Sequence, residues 1–174
     1  MIIIHAVQKL QNISRLKPAL FVSEPSDGQE LHSWYAKLVS TSFKGKMLVM
    51  YVHQPSLIVI IARGKTISGT MTEFQLRLEN FLNRFNFGSE FIQAEINMVI
   101  EGYIISKTNS RSMLGSMNAI SENITYRCTK FDTYAAIEFD KIENTFMEWL
   151  TSDKTKPNNF SRTSDYWRER GLIQ

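Results

Sequence analysis

Between residues 33 and 62 three strand-like segments follow one another with almost nothing between them, and no other feature constrains the fold as much. The segments cover 33–41, 46–52 and 56–62, with Lys44-Gly45 and His53-Gln54-Pro55 as the punctuation. Gaps this short join antiparallel neighbours, because a parallel crossover needs a dozen or more residues. A three-strand meander is therefore predicted. Its second and third segments are apolar enough for central strands. The longest uninterrupted apolar stretch, Leu57 to Ala62, falls far short of the roughly 20 residues that a membrane-spanning helix needs. No membrane partner is expected. With 174 residues, 43% of them hydrophobic, the chain has enough material for one domain with a sizeable core.

The β-branched run over 2–7 reads as a first strand rather than a leader, since it lacks a basic start and passes directly into Gln8-Lys9-Leu10. A short helix over 8–16 is broken by Pro18, and 23–28 is a turn-rich loop. Thr70-Met71-Thr72-Glu73 has the form of a capping box, so a helix is predicted to start at Thr70, with Met71, Phe74, Leu78, Phe81, Leu82 and Phe85 on its core face and Gly88 at its stop. A second short helix over 90–97, a strand over 98–106 and a helix over 110–123 follow. The last predicted helix runs over 132–150, with Asp132 as N-cap and Ala135, Phe139, Ile142, Phe146 and Trp149 on one stripe. Glu138, Glu143 and Glu148 then make its solvated side. The fold class is α+β: a largely antiparallel sheet of an N-terminal strand, a three-strand meander and one later strand, packed against three to four helices. Residues 1–150 form one domain, and 151–174 a basic tail, disordered or docked through Phe160, Tyr166 and Trp167.

That tail carries Lys154, Lys156, Arg162, Arg168 and Arg170 against Asp153, Asp165 and Glu169, which is +2 of the formal net charge of +3. Charge of this size mildly favours polyanionic partners. Cys128 is the single cysteine, which excludes an intrachain disulfide and a cysteine zinc cluster and fits a reducing, cytoplasmic setting. His5, His32 and His53 lack metal-ligand spacing, no nucleophile elbow occurs, and no cofactor or metal is expected.

The polar residues that stand out lie between 107 and 118, where a strand gives way to a helix with a glycine inside it: Lys107-Thr108-Asn109-Ser110-Arg111-Ser112-Met113-Leu114-Gly115-Ser116-Met117-Asn118. Met113, Met117, Ile120 and Ile124 share a core stripe, while Arg111, Gly115, Asn118 and Glu122 share another. Two explanations of Gly115 stand. Gly115 and Ala119 allow a neighbouring element to pack closely, or the bare backbone at Gly115 admits a ligand. On the second, Lys107, Thr108, Ser110, Arg111 and Asn118 bind an anion at the helix N-terminus, where free amides and the positive dipole end favour negative charge. The segment is neither a P-loop nor a dinucleotide fingerprint.

These residues also carry a resemblance. The N-terminal strand leading into Gln8-Lys9-Leu10, the strand Trp34-x-Ala36-x-Leu38 and the run Lys107-Thr108-x-x-Arg111-Ser112-x-Leu114-Gly115-Ser116-Met117-Asn118 resemble a family of small uncharacterised bacterial proteins, the domain of unknown function DUF6933. The resemblance covers about residues 1–125 and implies a compact bacterial domain. It implies no activity, cofactor or partner.

Three functions are compatible with the sequence. One is a binding module for a phosphate-bearing ligand or nucleic acid, with Lys107, Arg111 and Asn118 in contact and Tyr166, Trp167 and Arg168 stacking on bases and meeting phosphate. Another is a protein-interaction module of an accessory or defence system, using the tail or a sheet edge. The third is a small enzyme acting on a phosphorylated metabolite, Arg111 neutralising charge and a histidine or distant carboxylate acting as base.

Overall fold

Two runs of alternating apolar side chains set the layers. In β2 (Ser33–Ser40), Trp34, Ala36 and Leu38 turn to one face and Tyr35 and Val39 to the other, and all five are buried. β3 (Met47–His53) and β4 (Val59–Arg63) repeat the pattern, so each face of the sheet needs its own cover. The computed structural model describes residues 1–19, 31–152, 157 and 160–173, and the loop expected over 23–28 lies outside them. Strand order is β4-β3-β2-β1-β5, with β1 at Ile2–Ala6 and β5 at Tyr103–Lys107. The meander β2–β3–β4 is antiparallel, whereas β1 runs parallel to both its neighbours. The architecture is α+β.

One face is covered by α1 (Gln8–Ser14), α2 (Ile67–Arg84) and α3 (Ser89–Ile100), through Leu10, Phe74, Leu78, Phe81, Leu82, Ile92, Ile96 and Val99. The other is covered by α4 (Arg111–Cys128) and α5 (Phe139–Met147). Beyond α5, β6 (Leu150–Ser152) pairs with β7 (Phe160–Arg162), and α6 (Thr163–Arg168) follows. Among the described residues no helix is long and apolar enough to cross a membrane.

The third meander strand is not central. β4 is an edge strand, buried on both faces, and its outer rim is sealed by side chains instead of by another strand. Ile61 N–H donates to Glu143 Oε1 at 2.9 Å, and Arg63 N–H donates to Glu73 Oε2 at 2.8 Å. Covering an edge in this way removes a template for unwanted strand pairing. Glu143 is consequently not on a solvated side: it is 0% exposed, and Arg77 of α2 grips it with Nε at 3.0 Å and Nη2 at 2.7 Å. Arg77 also reaches Asp140 at 2.8 Å, and the Phe139 ring lies under the guanidinium groups of Arg63 and Arg77.

Several boundaries shift for reasons of the same kind. α2 begins after Thr66, whose side chain accepts from Gly69 N–H, because the Thr70 hydroxyl is buried against Tyr51 Oη at 2.6 Å and Glu73 is committed to β4. Gly88 is the N-cap of α3, not the stop of α2. Residues 98–100 continue α3, and β5 starts only after Gly102, whose φ of 112° turns the chain. The helix expected from Asp132 starts at Phe139. Arg63 Nη2 holds the carbonyls of Ala135 and Ile137 at 3.3 and 3.1 Å, and Tyr134 Oη donates to the Met47 carbonyl, so 132–138 takes an irregular path. Phe139, Ile142 and Phe146 are buried on the stripe predicted for them, while Ala135 and Trp149 fall outside the helix.

Burial pushes the Glu143 carboxyl up to about 7, against the pull of Arg77, Ile61 N–H and Arg84 toward the charged form. A carboxyl raised in the folded state stabilises most below its unfolded pKa and loses that contribution as pH rises through the folded one. Urea unfolding should therefore show stability falling between about pH 5 and about pH 8, and Glu143→Gln should flatten that fall. Glu143→Ala, which strands Arg77 and the Ile61 amide, should cost about 3–5 kcal/mol.

Candidate functional site

α4 presents two different surfaces. Its Ser110 N-cap accepts from Met113 N–H at 3.2 Å, and Met113, Met117, Ile120, Ile124 and Cys128 are buried against the sheet. Burial raises the Cys128 thiol pKa, so this sulfur stays protonated and inert. On the outward stripe Arg111, Gly115, Asn118 and Glu122 are all exposed. A Cβ placed on Gly115 would meet nothing within 4 Å, which removes close packing as the reason for a glycine there.

The loop leading into α4 is latched to the sheet by a histidine. His5, 1% exposed, has Nδ1 at 3.1 Å from the Lys107 carbonyl and Nε2 at 3.0 Å from Ser33 Oγ, and its ring stacks on Tyr35 at 4.7 Å. A carbonyl only accepts, so Nδ1 carries a proton in this latch. Tyr35 Oη donates to Asn109 Oδ1. His53 is buried as well, its Nδ1 2.7 Å from Ser56 Oγ. Both histidines are engaged in the interior, and neither lines the two hollows beside α4.

The first hollow is a cleft of about 520 Å³ between the N-terminal half of α4, the turn around Gln54, Pro55 and Leu57, and the segment from Trp149 to Ser152. Ser110, Ser112, Ser116, Thr151, Ser152 and Gln54 give it a polar wall, while Leu57, Met113, Ala119 and Trp149 form the apolar part. Of the residues expected from sequence, Ser110 lines this cleft. Arg111, between the lining residues Ser110 and Ser112, is exposed and makes no hydrogen bond or ion pair among the described residues, and Lys107 is exposed at the end of β5, outside the cleft's lining. Thr108 is half-buried in the loop. Ser112 and Ser116 also line the cleft, and their i, i+4 spacing beside the N-cap serine is the sequence signal for them.

Asn118 lies by the second hollow. Its Oδ1 accepts from Lys37 Nζ at 2.7 Å, and Lys37 Nζ also donates to Ser121 Oγ at 2.9 Å. Burial lowers the Lys37 pKa, with Glu122 acting the other way. The signal for Lys37 was a lone cation inside an apolar strand. The tail residues are elsewhere. Trp167 is 0% exposed and packs against Phe87, Phe91 and His53, Tyr166 carries Arg170 over its ring at 3.5 Å, and Arg168 contacts Ser164. None of the three borders either hollow.

Residues 3–161 match the family described as a domain of unknown function, DUF6933. The chain belongs to this family. No curated protein matches it. The DUF6933 match spans the five-stranded sheet, the latch of His5 on the Lys107 carbonyl and both hollows, and it ends before α6, which holds Trp167.

With open space around Gly115, replacing it by alanine should stabilise this DUF6933 domain by about 0.5–1 kcal/mol. Thermal unfolding of Gly115→Ala checks this, and a drop in melting temperature would show a packing demand at that site.

Proposed function

We propose that this DUF6933 domain is a binding module for a phosphate-bearing ligand, nucleic acid foremost, and that the cleft at the start of α4 is its site. The observation that carries this reading is a hydroxyl-rich wall at the N-terminal turn of an 18-residue helix, with an exposed arginine beside it. The first α4 amides that Ser110 leaves uncapped, those of Arg111 and Ser112, have no acceptor among the described residues. Hydroxyl and amide donors at the positive end of a helix suit phosphate oxygens. Trp149, half-buried and packed against Phe146, offers a ring on which a base can stack. Arg111 then supplies charge between the lining serines, Lys107 charge from outside the lining, Thr108 and Ser110 further hydroxyls, and Gly115 an unobstructed approach along the helix. Asn118, held by Lys37 beside the second hollow, lies outside this cleft. In the tail Arg168 is exposed and can meet a longer strand, while Tyr166, covered by Arg170, and Trp167 serve packing.

A second reading, a protein-interaction module, is favoured by a different observation, an uncovered strand edge next to Lys37. The enzymatic reading has less support, because His5 and His53 are committed to interior partners.

Fluorescence anisotropy with single-stranded oligonucleotides tests the proposal. Affinity should fall steeply with salt. Arg111→Ala should weaken it about 10-fold, and Ala119→Trp, which fills the cleft from an exposed position, should abolish it with the melting temperature unchanged. Absence of binding at low salt to any oligonucleotide refutes the reading.

A further inference from the structure

The sheet has a gap in one of its rows. β1 is paired with β2 only as far as Ala36, and its last bond in that row is Val7 N–H to the Ala36 carbonyl at 3.0 Å; the chain then turns away into α1. β2 continues for four more residues, to Ser40. Backbone groups alternate sides along a strand. Ser33 C=O accepts from Gln54 N–H on the β3 side, and Ala36 C=O accepts from Val7 N–H on the β1 side, so Leu38 and Ser40 also direct their N–H and C=O groups into the row that β1 has vacated. The Ser40 carbonyl is taken by Thr125 Oγ1 at 3.0 Å. Among the described residues no backbone partner reaches Leu38 from that side.

This vacated row is the second hollow, a groove of about 510 Å³. α1 borders it with Lys9, and α4 borders it with Ser121, Glu122, Thr125 and Tyr126. Lys37, held by Asn118 Oδ1 and Ser121 Oγ, has a third ammonium N–H left for a ligand. Tyr126 is 64% exposed at the rim, with Lys130 Nζ 5.1 Å from the centre of its ring. Two lysines against one glutamate give the groove a positive balance. At about 3.3 Å per residue, the row beside Leu38 to Ser40 takes a strand of roughly three residues.

We propose that this groove is a docking slot for a short extended segment of a partner protein that carries acidic side chains. The segment would complete the β1 row by pairing its backbone with Leu38, and its carboxylates would meet Lys37 and Lys9. Main-chain pairing gives such an interaction its affinity, and the flanking cations give it selectivity. This slot is independent of the cleft at the start of α4: different residues form it, and a different chemistry fills it.

The test is fluorescence polarisation of the full chain with a labelled peptide of about six alternating glutamates and valines. Saturable binding is expected. Lys37→Met, which keeps the stem and removes the charge, should weaken it about 10-fold, and Glu122→Gln should tighten it severalfold. The same peptide methylated on alternate backbone nitrogens should lose binding, as should its lysine counterpart. Equal binding of the methylated or lysine peptide overturns the proposal, as does unchanged affinity in a folded Lys37→Met chain. Displacement by free glutamate or inorganic phosphate at the peptide's own concentration would make this a small-anion site and overturns it as well. So does the absence of any binding.

Discussion

A single buried carboxylate holds the two covering layers to one edge of the sheet. Glu143 belongs to α5 on one face, accepts the Ile61 N–H from the rim of β4, and is gripped by Arg77 of α2 from the other face. Three elements that share no stretch of sequence therefore meet at one group. A charge in that position is expensive to bury, and the two-pronged guanidinium with the strand amide offsets only part of that cost, since burial still holds the carboxyl up at about 7. With the β4 edge closed, the meander and its helices have one register in which every apolar row is covered.

That register decides what α4 can do. Its methionine and isoleucine stripe packs against β2 in the core it shares with β3 and β4, and His5 pins the Lys107 carbonyl, so the start of the helix is set by the sheet and not by loop chemistry alone. On the outward side Asn118 holds Lys37, and the first turns make no such contact. Gly115 faces open space, Arg111 is exposed, and two hollows of similar size lie along the same helix: one with hydroxyl walls at its beginning, one with lysines further on. Both hollows are lined by residues of this one helix.

Local chemistry was well written into the chain. Short gaps at Lys44-Gly45 and around Pro55 gave the meander, the spacing of Met113, Met117, Ile120 and Ile124 gave the buried side of α4, and Ser110 announced its start. What could not be read depends on residues far apart. β4 looked central because its burial is complete, and its sealing groups, Glu73 and Glu143, come from 10 and 82 residues away. The start of the last helix was misplaced because Arg63 captures two carbonyls that a helix would have used. The surroundings of the proposed site divide in the same way. Ser110 and the exposed Arg111 followed from the motif, but the contact of Asn118 with Lys37 spans 81 residues, and the cleft's opposite wall at Trp149 to Ser152 carried no local signal.

On the proposed reading, the open side of α4's first turns receives a phosphate-bearing ligand. Amide-resonance mapping of the isotopically labelled full chain, titrated with a single-stranded oligonucleotide, addresses it residue by residue. The account predicts that the largest shifts fall on Arg111, Ser112 and Ser116 and on the indole of Trp149, across the cleft. Shifts gathered on any other surface, or none at all, would contradict it.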